Sequence, residues 1–349
     1  MKKVVLTLLA ASWAFYAQAQ DSTRLLPEGL KISASADVYY KFNFNENVSD
    51  NKTSFTNSHN SFELGMASLK LEHSFKNVGF VADLGFGKRA EEFSYNDDNT
   101  RFAIKQLNVY YSPASWLKFT LGAYGTHVGY ELVDAYLNRN YSMSYMFSYG
   151  PFFHTGVKAD MSFGAHSLMV GVFNPTDLKS ASFTNHKYVG AQWGFSPSSA
   201  PFKFYLNYIG GRDTFQVRND QVDAVITYQA SSKFGIGYNG TVSHYKNGDT
   251  HDWWGSALYL NYDPTESFGL TLRSEYFSDK DGLKIFTDPA KFTEGGSVVA
   301  FTLSGNYKVG GFTLVPEFRL DQASEDLFSK GDVAKKASAN FLLAAIYKF

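Results

Sequence analysis

Residues that could perform catalysis are few and scattered in this sequence. Residues 235–240, GIGYNG, match the G-x-G-x-x-G pattern of dinucleotide-binding loops, whose glycines let the backbone approach a pyrophosphate. That chemistry needs a helix directly after the loop, whereas these glycines fall inside a segment of alternating apolar and polar residues. We therefore interpret them as small residues of a crowded strand.

The sequence also gives no support for nucleophilic or metal-assisted catalysis. The chain has no cysteine, which excludes thiol catalysis, thiolate metal sites and disulfides. Its eight histidines include no pair four residues apart, and no G-x-S-x-G, H-E-x-x-H or P-loop motif is present. His154 and His244 could act as bases, but a lipase would also need a serine and a residue that orients the histidine. The sequence assigns no such partners, so an outer-membrane enzyme of lipase type is the weaker alternative.

One long aromatic segment with charged residues points to transport instead. Residues 126–151 carry six tyrosine and phenylalanine side chains, which would expose an unusually apolar surface on a loop in water. We expect this loop to fold into a barrel and narrow it, with its acids facing basic residues of the next strands. Its charges would stay hydrated, because burying an unpaired charge is costly. The predicted constriction residues are Glu131, Asp134 and Arg139 on the loop, with Lys118 and Lys158 on the strands.

A second interpretation of this segment remains open. The loop could pack on neighbouring outer loops, with its acids merely solvated. The sequence alone does not decide between the two.

The elements that must position these residues are strands. From residue 30 onward apolar side chains occupy every second position, as in Val38, Tyr40 and Phe42, with polar residues between them. A period of two is typical of strands, and many runs reach nine or more residues, as a tilted strand crossing a bilayer requires. Strands of soluble sandwiches are usually about five or six residues long. The polar positions have the composition of a wet lumen.

Sixteen such segments are predicted, with pairing errors allowing 14 or 18. Short turns and long loops alternate between them, which is the arrangement of an all-β, transmembrane, antiparallel up-and-down barrel with short periplasmic turns and long outer loops. The net charge of −1 argues against a nucleic-acid binder. Past the N-terminus no run of 18 apolar residues could form a spanning helix. Long loops are predicted at 45–59, 89–101, 126–151, 175–186, 211–219, 246–251, 279–295 and 322–337.

The N-terminus has the pattern of a secretory signal peptide. Two lysines precede an apolar stretch over residues 4–16, and Ala-Gln-Ala ends at Ala19. We predict a signal peptide at 1–19 that is cleaved after Ala19. A short periplasmic lead-in at 20–29 and a single barrel domain at 30–349 would follow.

The C-terminus carries a second signal. Apolar residues alternate in the last strand, and Tyr347 and the terminal Phe349 lie on one face. A strand with a free aromatic end can pair with an open barrel edge during insertion. These two residues resemble the signal read by the outer-membrane barrel assembly machinery.

The segment from 129 to 156 carries a more specific pattern. An acidic pair and an asparagine-rich stretch precede aromatic residues, and Pro-Phe and His-Thr-Gly open the next strand. The residues of this pattern are Glu131, Asp134, Asn138, Asn140, Tyr141, Ser142, Pro151, Phe152, His154, Thr155 and Gly156. The segment resembles the putative beta-barrel porin-2 family, which implies an outer-membrane porin without identifying its substrate.

These features predict a porin of the bacterial outer membrane. It would form a water-filled channel for passive diffusion of ions and small hydrophilic solutes, constricted by the loop at 126–151. Diffusion is driven by the solute gradient, so no cofactor is implied. Expected partners are outer-membrane lipid, the barrel assembly machinery and small hydrophilic solutes, with a homotrimer expected by analogy. The alternative is a non-conducting surface barrel that binds a partner through its long loops.

Overall fold

The computed structural model describes residues 27–349, in which strand is the dominant regular structure. Sixteen antiparallel strands form one closed barrel, and the last strand pairs with the first. The sequence prediction of a 16-stranded barrel is therefore confirmed. The predicted signal peptide, residues 1–19, lies outside the described residues.

The barrel strands are between 8 and 15 residues long. They are β1 (Leu30–Asn43), β2 (Ser61–Phe75), β3 (Val78–Phe86), β4 (Ile104–Ala114), β5 (Leu117–Gly125), β6 (Phe153–Phe163), β7 (His166–Phe173), β8 (Tyr188–Phe195), β9 (Phe202–Arg212), β10 (Arg218–Gln229), β11 (Phe234–Asn247), β12 (Asp249–Tyr262), β13 (Phe268–Asp279), β14 (Gly296–Val309), β15 (Phe312–Ala323) and β18 (Ala337–Lys348).

Alternation along each strand separates an outer face from an inner one. On β1, Asp37, Tyr39 and Lys41 are buried in the interior, while Val38 between them is 45% exposed on the outside. Because successive side chains of a strand point to opposite faces, the polar set of β1 lines the lumen.

The outer wall is apolar, as the hydrocarbon of a bilayer requires. Its exposed side chains include Phe62, Leu64, Leu107, Val109, Leu121, Val170, Val189, Phe301, Leu303 and Phe318. No helix of residues 27–349 is long and apolar enough to cross a membrane.

The two ends of the barrel differ. Both described termini and the short connections, such as Gly310 and Gly311 between β14 and β15, lie at one end, here called the turn side. The long connections lie at the other end, the loop side. One predicted long loop is wrong: over 246–251 the strands continue, and a single residue, Gly248, joins β11 to β12 with φ of +86°. Glycine adopts this left-handed conformation without steric cost, so a tight turn suffices.

The long loops contain the remaining regular structure. Helix α1 (Lys88–Phe93) follows β3, and helix α2 (Tyr145–Tyr149) lies between β5 and β6. Strands β16 (Phe328–Lys330) and β17 (Val333–Lys335) form a small hairpin between β15 and β18. None of these short elements was apparent from the sequence.

Candidate pore constriction

The segment 126–151, here called the inner loop, lies inside the barrel. Tyr141 Oη donates a hydrogen bond to Asp37 Oδ1 on β1 at 2.5 Å, and the Gly129 N–H donates to Asp223 Oδ1 on β10 at 3.0 Å. The loop thus contacts strands far apart around the wall. This is the position that its aromatic content predicts.

The base of the inner loop is fixed by a buried carboxylate. Asp223 accepts hydrogen bonds from the Gly129 N–H and from the side-chain amides of Asn207 and Asn239, at 3.0, 2.7 and 2.5 Å. Three donors of three separate segments therefore meet on one side chain.

A histidine next to this carboxylate holds the same base. His127 Nε2 lies 2.9 Å from the Tyr208 carbonyl, and the Gln192 amide donates to the His127 carbonyl at 3.1 Å. The imidazole Nδ1 has no hydrogen-bond partner among residues 27–349. Burial lowers the pKa of His127 to about 4, so the ring is neutral at pH 7.

Helix α2 begins against a wall carboxylate. Glu275 on β13 accepts from the backbone N–H groups of Tyr145 and Met146, both at 3.1 Å, and Ser144 caps the helix by accepting from Phe147 N–H. The first N–H groups of a helix lack intrahelical partners and favour negative charge. Glu275 supplies both the hydrogen-bond acceptors and the carboxylate that the start of this helix favours.

A second carboxylate binds the extended part of the loop. Glu317 on β15 accepts from Tyr141 N–H at 2.7 Å and from Ser142 N–H at 3.0 Å, and the Ser304 hydroxyl donates to it at 2.7 Å. Wall acids therefore supply acceptors that a loop without secondary structure would otherwise lack.

Arginines of the wall bind the loop carbonyls in the same way. Arg273 donates to the Ser142 carbonyl at 2.8 Å, and Arg319 donates to the Met143 carbonyl at 2.7 Å. Arg319 is also paired with Asp321 at 2.8 Å. Acidic and basic wall residues together satisfy both kinds of backbone group on the loop.

A further arginine reaches the loop from the loop side. Arg89 on α1 is completely buried and donates to the carbonyls of Val133 and Tyr141, both at 3.2 Å. Its guanidinium lies between the rings of Phe55 and Tyr141, 4.9 and 4.7 Å from their centroids. Burial raises the pKa of Tyr141 well above its ordinary value, so its hydroxyl remains a donor.

The two predicted acids of the constriction have different partners from those expected. Glu131 pairs with Arg273 at 2.5 Å and accepts from the Tyr259 hydroxyl, and Asp134 pairs with Lys105 at 2.5 Å. Both acids are buried, so the expectation that they stay hydrated is wrong. They are buried because each has a cation, which sequence spacing could not reveal.

The predicted lysines do not face these acids. Lys158 pairs with Asp160 at 3.0 Å, and Lys118 lies 3.9 Å from the same carboxylate. The physical reason is the path of the loop, which brings Glu131 to Arg273 on β13 across the barrel and Asp134 to Lys105 on β4. Neither acid meets Lys118 or Lys158 on the inner face of β5 and β6.

Arg139 carries the loop towards the turn side. It forms two hydrogen bonds with Asp263, at 2.6 and 3.0 Å, in the short turn between β12 and β13. It also donates to Thr271 at 2.7 Å. The inner loop therefore extends from the loop side to the opposite end of the barrel.

The predicted assembly residues lie where the barrel closes. Phe349 exchanges two backbone hydrogen bonds with Ala34 on β1, at 3.0 and 3.2 Å. Tyr347 pairs in register with Ala36 on β1, and its side chain is exposed on the outer face.

Within residues 27–349, neither histidine considered as a base is hydrogen-bonded to a serine and a carboxylate together. His154 is buried, lies 3.0 Å from the Thr126 hydroxyl and stacks on Phe173. His244 is paired with Asp252 at 2.5 Å, and no hydrogen bond within residues 27–349 joins it to a serine.

The inner loop leaves open space on the wall formed by β6 to β10. A loop-side vestibule of about 750 Å³ is lined by residues that include Tyr95, Tyr149, Tyr188, Tyr245 and Lys284. A turn-side vestibule of about 540 Å³ is lined by residues that include Lys158, Gln192, Lys203, Tyr205, Asn207 and Thr227. Between them lies an apolar cluster of Tyr124, Val128, Met169, Phe173, Tyr188 and Ile209.

The alternation of residues along the strands is enough to place the anchoring residues on the inner wall, but it does not reveal their role. Asp223, Arg273, Glu275, Glu317 and Arg319 are all inward by alternation. The available signal was the density of charges at inward positions of β13 and β15, where acids and bases alternate with outward apolar residues. Nothing in the sequence linked those charges to the inner loop.

Comparison with known proteins gives one family and one fold. The model of the family described as putative beta-barrel porin-2, OmpL-like, matches residues 29–349. No curated protein matches the sequence.

Solved structures with the same fold are outer-membrane proteins. The outer-membrane channel DcaP of Acinetobacter baumannii has a TM-score of 0.61 at 11% identity, covering 92% of this chain and 97% of its own. The anion-selective porin of Comamonas acidovorans has a TM-score of 0.61 at 9% identity, covering 92% and 99%. The trimer form of OmpT of Vibrio cholerae has a TM-score of 0.60 at 13% identity, covering 92% and 99%.

Proposed function

This chain belongs to the putative beta-barrel porin-2, OmpL-like family, and on that premise we propose that it is a diffusion porin of the bacterial outer membrane. Ions and small hydrophilic solutes cross through its lumen, and the inner loop sets the narrowest section. A barrel of sixteen strands is too wide for wall side chains alone to fill. The observation that supports the proposal best is the inner loop itself, which crosses this lumen and leaves a vestibule on each side.

The remaining parts of the proposal concern export and assembly. The signal peptide is removed after Ala19, the barrel assembly machinery inserts the chain, and outer-membrane lipid surrounds the apolar wall. The chain acts as a channel and not as an enzyme. A homotrimer is proposed because one of the compared structures is a trimer form.

Single-channel recording in planar bilayers tests the channel and its constriction together. Gly125 and Phe153 are paired across β5 and β6, so a short Gly-Ser turn can replace residues 127–151 without moving either strand. We expect the wild type to conduct and this deletion to conduct several-fold more, because conductance rises with the open cross-section. The control removes Gly331 and Asp332, the exposed tip of the β16–β17 hairpin, which is a loop-side connection that lines neither vestibule.

A second experiment removes negative charge from the inner loop. The double variant Glu131→Gln/Asp134→Asn removes two carboxylates from the constriction and should alter ion selectivity. A folded wild type without current would contradict the channel and favour a non-conducting surface barrel. A conducting wild type whose deletion has unchanged conductance would contradict only the constriction.

A further inference from the structure

The charged side chains that line the turn-side vestibule are all positive. Its wall and loop-base residues include two charged side chains, Lys158 and Lys203, and no carboxylate. Lys203 is exposed and has no ion pair with any described residue. An unpaired cation in a wall depression raises the local concentration of anions.

The nearby acids do not neutralise this wall. Asp160 is shared by Lys158, at 3.0 Å, and Lys118, at 3.9 Å. Together with Lys203, three lysines of β5, β6 and β9 are opposed by two aspartates, Asp160 and the buried Asp223, which is hydrogen-bonded to Gly129 and Asn207 of the lining. The inner face of these strands therefore keeps an excess of positive charge.

A second cavity on the turn side has a different balance of charge. That cavity of about 270 Å³ lies beyond the inner loop, between β1 and β4. There Lys70 pairs with Glu72 at 3.1 Å, and Lys105 pairs with Asp83 and Asp134 at 3.1 and 2.5 Å. Two of its three lining lysines are paired with acids, and the third, Lys348, lies over the Tyr136 ring at 5.2 Å, whereas Lys203 of the turn-side vestibule has no such partner.

The loop-side vestibule is acidic, but its acids are engaged. Glu92 accepts from Phe55 N–H, Asp177 from Phe152 N–H and Asp213 from its own turn, in each case through backbone donors. The dipoles of these backbone N–H groups offset part of the electric field of the carboxylates, while Lys203 has no such partner.

We infer that the turn-side vestibule attracts small anions, such as chloride, phosphate and short carboxylates, and that Lys203 and Lys158 determine this preference. Lysine-lined sections select anions in other pores by the same physics. The inference rests on the proposed channel function, since it concerns which solutes pass through that channel.

Reversal potentials in a tenfold KCl gradient test it. We expect wild type to favour Cl⁻ and the double variant Lys158→Gln/Lys203→Gln to lower the anion-to-cation permeability ratio about threefold or more. Lys203→Glu changes the charge by the same two units at one exposed and unpaired position that does not threaten folding, so it should lower the ratio by a similar factor. Lys70→Gln is the control, because it removes a lysine charge from the other turn-side cavity, where that lysine is already paired with Glu72.

Salt concentration provides an independent readout. The effect should be largest near 0.1 M, where the Debye length is about 10 Å, and weak at 1 M, where it is about 3 Å. Unchanged ratios in both lysine variants of a conducting pore, or an equal effect of Lys70→Gln, would overturn the inference alone. A folded wild type without current would overturn the channel function and the inference with it.

Discussion

Glu131 and Arg273 form an ion pair that is almost completely buried between the inner loop and β13. Replacing Glu131 by Ala leaves the guanidinium without its carboxylate and should lower the free energy of unfolding by about 3 kcal/mol. Adding Arg273→Leu should recover part of the loss, because the uncompensated charge is removed as well. Urea unfolding followed by tryptophan fluorescence measures both.

The matched control for this pair is the exposed one between Lys70 and Glu72. Glu72→Ala should cost less than about 1 kcal/mol, because solvent screens a surface pair. An equal cost for Glu131→Ala would mean that its site is as hydrated as the surface.

His127 should make the docking of the inner loop sensitive to acid. Its pKa is lowered from 6.5 to about 4 in the docked loop, so the released loop binds more protons between these values. Docking is therefore most stable above about pH 6.5 and loses stability as the pH falls towards 4. The groups that face the ring are His154, Lys158 and Asp160.

Conductance recorded from pH 7.5 to 4 measures this effect. We expect larger and noisier currents below about pH 5 in the wild type, and a flatter profile in His127→Gln, which cannot be protonated. Identical profiles in the two proteins would assign the acid response to another group.

At the level of elements, the base of the inner loop depends on β10. Asp223→Ala leaves the Gly129 N–H and two asparagine amides without their acceptor, and each unmet donor costs about 1–3 kcal/mol. The base should loosen and the conductance should rise, though less than in the loop deletion. Asp220→Ala on the same strand is the control, since Asp220 pairs with Arg218 and does not contact the loop.

The last strand, β18, should be sensitive at its final residue. Deleting Phe349 removes two backbone hydrogen bonds to β1 and the terminal ring, so the yield of folded barrel should fall. Phe349→Ala keeps the backbone and removes only the ring. If the ring is the assembly signal, both variants should lower the folded fraction on unheated gels; normal yield of Phe349→Ala would assign the defect to backbone pairing.

For the whole molecule, the wall was predictable and the interior was not. Strand period is a local property, and positions such as Val38 and Tyr39 on β1 report their faces directly from sequence. The connection at Gly248 was misjudged because its polar neighbours look the same in a loop and in strand ends exposed to water.

The constriction was predictable as a segment but not as a set of pairs. Glu131 was correctly placed on a loop that enters the lumen, yet its partner, Arg273, is 142 residues away. Which of many inward cations meets a given acid depends on the path of the loop across the barrel. No spacing rule along the chain encodes that path.

The anchors of the inner loop also constrain the order of events during insertion. Tyr141 binds Asp37 on the first strand and Glu317 on the fifteenth, which are separated by almost the entire barrel sequence. β15 pairs with β18 as the preceding barrel strand, but β1 pairs with β18 only when the cylinder is complete. The loop therefore has no finished binding surface in a half-built sheet. We expect the inner loop to become protected from protease late in insertion, when the barrel closes. Its protection therefore reports the closure step.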